Sequence, residues 1–214
     1  MCAVDGRVPR VSDLRMSIRP ALLVFVALAA AVSHLHAFSA EATLAARAEK
    51  DAWMRDNADS PFNYEKHNVE FSPLHYFAPD ASWVFESKLT VYGKPEAITI
   101  LDTKGRERHG DLYGFLTFKK DGADHTLRVY RMPTKDGVYY GIWFTDRTTG
   151  DSTYDVGRYL DFELSDDADH VYTIDFNEAY NPYCAYSPAY GCAIPRKEDF
   201  LDLAITAGEM KWHD

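Results

Sequence analysis

The residues that usually announce chemistry are scarce or scattered in this chain. It has three cysteines in 214 residues, and no pair falls at the C-x-x-C spacing that a redox motif or a zinc ribbon uses. Of its eight histidines, His34 and His36 lie near the N-terminus, while His67, His75, His109, His125, His170 and His213 stand singly. There is no H-E-x-x-H helix, G-x-S-x-G elbow, phosphate-cradling loop or Rossmann glycine pattern, so the common motif-bearing hydrolases, nucleotide binders and dehydrogenases are set aside. Repeats and low-complexity tracts are absent too. Positive charge is short: 23 Lys and Arg face 33 Asp and Glu for a net charge of -10, which disfavours nucleic acid and anionic membrane as partners. Long apolar runs are also missing, since Ala21 to Val32 falls well short of the roughly 20 residues a membrane-spanning helix needs.

What that short run does fit is a secretory leader. From Met16 the chain reads MSIRPALLVFVALAAAVSHLHAFSA, with Arg19 as the positive flank, the apolar core behind it, and Leu35-His36-Ala37 as a small-residue cleavage site. Residues 1–37 are therefore expected to be leader and signal peptide, with Met16 as the start and cleavage after Ala37. Residues 38–214 form the exported domain, periplasmic or extracellular, with no stable membrane anchor after cleavage. Cys2 is lost with the leader, leaving Cys184 and Cys192 as an even pair in an oxidising compartment. A disulfide between them would close a small loop and stabilise by about 2–3 kcal/mol. No cysteine stands at the cleavage site, which argues against a lipid anchor.

The domain itself reads as mainly β with one N-terminal helix. Residues 41–57 are rich in alanine and straight-chain residues without Gly or Pro, and Leu44, Ala48, Ala52 and Trp53 would form its apolar stripe. Pro61, Pro73 and Pro79 then mark an irregular connection. In residues 82–92 the period becomes two, with Trp83, Phe85, Leu89 and Val91 on one face. Further strands are expected at 96–101, 112–118, 126–132, 138–144, 158–164, 171–176 and 201–207. Lys104-Gly105, Asp121-Gly122 and Asp136-Gly137 supply hairpin turns. Short strands joined by hairpins, with no helices between them, predict a mostly antiparallel β-sandwich or barrel-like single domain.

Residues 144–192 hold seven of the fourteen tyrosines, and binding or chemistry is expected there. The motifs Phe144-Thr145-Asp146, Thr148-Thr149-Gly150, Tyr154, Gly157-Arg158-Tyr159-Leu160-Asp161, Asp175-Phe176-Asn177-Glu178-Ala179-Tyr180-Asn181-Pro182, Cys184-Ala185-Tyr186, Cys192 and Ala207-Gly208-Glu209 resemble domain-of-unknown-function family 1684. Lys50-Asp51 and Ser60-Pro61 resemble that family's opening motif. The chain departs from it at Ala193-Ile194-Pro195, where the family is richer in proline. The resemblance implies a domain extent and no activity.

Within this segment Asp146, Arg158, Asp175 and Asn177 are candidates for a polar ligand core, with Tyr154, Tyr180, Asn181 and Tyr186 around it. Aspartate and asparagine oxygens suit calcium, although the glycine and distal glutamate of a calcium loop are missing; otherwise no metal or cofactor is expected. These residues also commonly bond their own backbone at turns. Arg158 would fork onto Asp146, Asp161 or Asp175 as an internal pin. Tyrosine faces and hydroxyls suit a small polar ligand such as a sugar, and equally serve as plugs for a barrel end. A carboxylate pair such as Asp146 with Asp175 would be the basis of a hydrolase. Three readings thus stand: a ligand-binding domain, a carboxylate-dependent hydrolase and a purely structural envelope protein.

Overall fold

A computed structural model describes residues 38–64, 69–135 and 137–213. The expected leader with Cys2, His34 and His36, together with His67 and Asp136, lies outside the described residues. The first element among the described residues is helix α1 (Ala40–Asp56), capped by Ser39, whose hydroxyl accepts the Ala42 N–H. Among the described residues eight strands follow: β1 (Val84–Lys88), β2 (Thr90–Leu101), β3 (Glu107–Lys120), β4 (Ala123–Thr134), β5 (Gly137–Asp146), β6 (Arg158–Asp161), β7 (Val171–Asp175) and β8 (Phe200–Leu201). Strands β2 to β6 pair in sequence order as one antiparallel sheet, curled into a half-barrel, and β8 joins β5 in parallel. Strands β1 and β7 form a separate antiparallel pair.

Turn chemistry sets the register. Asp121 and Gly122 both adopt left-handed backbone, at φ 51° and 80°, the type I′ geometry whose twist matches a two-residue hairpin. This turn joins β3 to β4. Between β2 and β3, one Asp102 oxygen accepts the backbone N–H groups of Lys104 and Arg106, and Gly105 takes the positive φ.

Both faces of the half-barrel's middle are buried. Leu127, Val129, Ile142 and Phe144 point into the main core with Trp83, Leu116 and Ile174. At its centre Phe176 is fully buried and meets Trp83, Phe118 and Phe144 edge-on. Tyr130, Met132 and Trp143 face the opposite way, into a second cluster with Ile98, Ile100 and Ala193. A third cluster gathers Met54 of α1 with Phe62, Leu74, Ala185 and Tyr186.

Four sequence expectations need correction. Residues 82–92 fall in two strands, not one. The chain leaves the β1–β7 pair at Leu89 and enters the large sheet, so the alternation loses phase and Val91 is exposed. The strand expected at 96–101 belongs to the same β2, separated from its start by a bulge between Val91 and Glu96. The helix stripe is also different: Leu44, Ala48 and Trp53 face solvent, and the buried positions are Arg47 and Met54. The surface beneath α1 offers carbonyls and a carboxylate, so a cationic face docks where an apolar one was expected. Finally, of the strand expected at 201–207 only Leu201 lies in β8. Leu203, Ile205 and Ala207 do alternate inward, but their backbone partners are side chains and loops.

Candidate functional site

Arg158 explains that last irregularity. Its side chain is wholly buried and donates to Asp146 Oδ2 at 2.8 Å and to the carbonyls of Ile205, Ala207 and Glu209 at 2.9, 2.5 and 3.3 Å. Three carbonyls at alternate positions along an extended segment are what a neighbouring strand would satisfy. One guanidinium replaces that strand. Asp146 completes the clamp from the other side: its Oδ1 accepts the N–H and hydroxyl of Thr148 at 2.7 and 2.6 Å and the N–H of Ile205 at 3.4 Å. Of the partners expected for Arg158, the structure selects Asp146. Burial draws the guanidinium below its ordinary pKa, against the pull of Asp146.

The clamp delivers Glu209 to a second buried centre. Its carboxylate, 1% exposed, accepts Lys50 Nζ at 2.5 Å, the Asn181 N–H at 2.8 Å and the Tyr186 hydroxyl at 2.5 Å. Beside it Arg47 donates to the carbonyls of Phe77 and Asn177 at 2.7 and 3.2 Å and lies over the Tyr76 ring. Gly208 makes the approach possible. It has φ 76°, and a Cβ there would stand 2.5 Å from the Ala179 carbonyl and 2.7 Å from that of Phe176. The helix is therefore docked on the body by two cations. The sequence reading did not include Glu209, Lys50 or Arg47 among the site residues; Lys50-Asp51 and Ala207-Gly208-Glu209 were visible only as motif fragments.

Asp175 and Asn177 serve a turn. Asp175 Oδ1 accepts both the N–H and the Nδ2 of Asn177 at 2.8 Å, while Asn177 accepts from and donates to the backbone of Asp80. Asn181 donates to the Met210 carbonyl. Asp146 and Asp175 thus bind separate partners of their own chain, and the carboxylate-pair reading draws no support from this geometry. Among the described residues no group of three or more His, Cys, Asp or Glu could hold a metal ion.

The remaining tyrosines reach the surface. Tyr180 donates to Asp161 Oδ1 at 2.7 Å, the Tyr139 hydroxyl lies within its electrostatic reach, and Lys50 Nζ lies 4.8 Å over the Tyr180 ring. Burial, then Tyr139 and Asp161, push the Tyr180 hydroxyl far above its ordinary pKa. Tyr183, within the field of Asp161, stacks on Trp53 with ring centres 6.4 Å apart, and Tyr190 continues the run to Tyr64. Trp53 is 37% exposed and Tyr139 40%, so rings are open to solvent at both sides of this band. Carboxylates border it: Asp161 and Glu178 are exposed.

Tyr154 points elsewhere, to the Cys184 carbonyl at 3.3 Å and its sulfur at 3.8 Å. Cys184 and Cys192, expected as disulfide partners, stand side by side as free thiols, with the Cys184 N–H directed at Cys192 Sγ at 3.3 Å.

The chain belongs to the protein family of unknown function DUF1684, whose sequence signature matches residues 69–210. It is similar to an uncharacterised protein of Haloarcula marismortui solved by solution NMR, with 34% identity and a TM-score of 0.58, over 79% of this chain and 92% of that one. No curated protein matches it.

Proposed function

We propose that this is an exported domain that binds a neutral oligosaccharide across the surface band of Tyr139, Tyr180, Tyr183 and Trp53. The observation that carries this reading is the partial exposure of these rings beside Asp161. Sugar rings present apolar C–H faces to aromatic planes and hydroxyls to carboxylates, and the band offers both. Its openness favours a chain laid along the surface over a monosaccharide enclosed in a cavity. The export half of the proposal rests on the leader-like sequence from Met16 to Ala37. Tryptophan fluorescence of the protein, titrated with glucose and N-acetylglucosamine oligomers, tests binding: a saturable change is expected with an oligomer and not with its monomer. A flat response to every oligomer would end the proposal.

The scaffold reading also has a specific observation behind it. Asp146 and Arg158 have fully buried side chains, so neither offers a surface to a ligand. The two readings assign different residues: the buried ones of the tyrosine-rich segment hold the chain together, and the surface rings of Trp53, Tyr139, Tyr180 and Tyr183 meet the ligand.

A further inference from the structure

We propose that Cys184 and Cys192 form a thiol–disulfide exchange site, Cys184 attacking a disulfide substrate and Cys192 resolving the mixed disulfide. The inference goes beyond the oligosaccharide reading and uses different residues. Two thiols in contact are required, and the loop geometry supplies them. The Thr103 N–H donates to the Cys192 carbonyl at 2.9 Å and the Cys192 N–H returns to Thr103 Oγ1 at 3.1 Å, pinning the Cys192 loop against the β2–β3 turn. Arg108 fixes the next carbonyl, donating to Gly191 at 2.6 Å. Cys184, in the turn Tyr183–Ala185, is brought against it, and its N–H reaches Cys192 Sγ. Both residues are half-exposed.

The surroundings make the two sulfurs unequal. The Tyr154 hydroxyl donates to Cys184 Sγ at 3.8 Å. Hydrogen bonding to Cys192 first, then to Tyr154 and Thr103, brings the Cys184 thiol down to about 6 against burial, while the bond to Cys184, then burial and the Cys184 negative charge, raise Cys192 above its ordinary value. Tyr154, Tyr159 and Arg108 are the other ionisable groups facing the pair. A thiolate at neutral pH beside a protonated partner is the arrangement that exchange needs.

In the reaction, the Cys184 thiolate forms a bond to one sulfur of R–S–S–R and breaks that S–S bond, releasing RS⁻. The released thiolate takes the Cys192 proton as RSH. Cys192 then attacks Cys184 Sγ, forming the Cys184–Cys192 disulfide and expelling a second RS⁻, which takes a proton from water. The dithiol is oxidised by two electrons and the substrate disulfide is reduced to two thiols.

The test uses the whole protein, reduced and then equilibrated with glutathione disulfide and glutathione at a series of ratios. Peptide mapping reads the Cys184–Cys192 link, and iodoacetamide alkylation against pH reads each thiol. The proposal expects a link that forms and reverses within the glutathione range. It also expects a Cys184 alkylation midpoint near 6, against about 8.5 for a free cysteine, moving upward in Tyr154→Phe and Thr103→Val. Cys192→Ser should trap glutathione on Cys184, and Cys184→Ser should trap far less on Cys192. A link that glutathione cannot reduce would make the bridge purely structural and overturn the proposal. Equal alkylation profiles with ordinary midpoints would overturn it too. Should Cys192→Ser fail to fold by circular dichroism, the wild-type profile and link still decide.

Discussion

Replacing Arg158 by methionine removes the charge and keeps most of the volume. Three carbonyls, at Ile205, Ala207 and Glu209, then lose a donor, and Asp146 is left as an unpaired buried carboxylate. Breaking one side of a buried pair costs about 3–5 kcal/mol, and each orphaned buried acceptor adds about 1–3 kcal/mol where water cannot reach it. These terms overlap, because Asp146 retains Thr148 and Ile205 as donors and the 205–209 segment can relax. A loss of at least about 4 kcal/mol is expected, a large share of the roughly 5–15 kcal/mol that holds a domain together. In a chain of this size that lowers the unfolding midpoint by roughly 8–16 °C. Urea unfolding followed by tryptophan fluorescence gives the value directly. Arg158→Met/Asp146→Leu should recover part of the loss, since the stranded charge goes with its partner. A loss below about 1 kcal/mol in Arg158→Met would refute the strand-replacing role given to this guanidinium.

Glu209→Ala strands Lys50, the Tyr186 hydroxyl and the Asn181 N–H; about 3–5 kcal/mol should be lost, with α1 amides 40–56 exchanging faster by hydrogen–deuterium mass spectrometry. Gly208→Ala meets two carbonyls with a left-handed backbone and should cost at least about 2 kcal/mol in the same urea assay. Asp102, held by Arg106 and backbone N–H groups, has its carboxyl well below the ordinary carboxylate range. Its contribution is fully present above the unfolded value of about 3.9 and fades as pH falls toward the folded value. The stability gap between wild type and Asp102→Asn should therefore be constant from neutral pH to about 4 and shrink below it, as read by urea midpoints across pH.

Much of the sheet was legible because hairpins are local. Asp121-Gly122 needs only its own backbone to specify a type I′ turn, and β3 to β5 follow from alternation on either side. The helix extent was equally local, carried by its composition, and the Ser39 cap fixes its start at Ala40. What was not legible depended on distant partners. The exposed stripe of α1 follows from Glu209 and the Phe77 and Asn177 carbonyls, more than 20 residues away in sequence and invisible to helical periodicity. The segment after Leu201 has strand-like alternation, but its hydrogen bonds go to Arg158, Asp146 and Arg147 instead of a strand. At the site, Asp146 with Arg158 was among the pairings the sequence suggested, because two charges flanking a sheet must find each other. Which tyrosines face solvent was not, since Tyr180 and Tyr186 stand in the same run and only the fold turns one outward and buries the other against Glu209.

The most direct test of the division between buried scaffold and surface site compares dissociation constants for a glucose or N-acetylglucosamine oligomer in Tyr139→Ala and Asp146→Asn, each well below its unfolding temperature. The account predicts that Tyr139→Ala, at an exposed ring, stays about as stable as wild type and loses binding at least about tenfold, the equivalent of 1.4 kcal/mol. Asp146→Asn should lose stability and keep its affinity. Affinity lost in Asp146→Asn and kept in Tyr139→Ala would contradict it, and would move the binding site to the buried clamp.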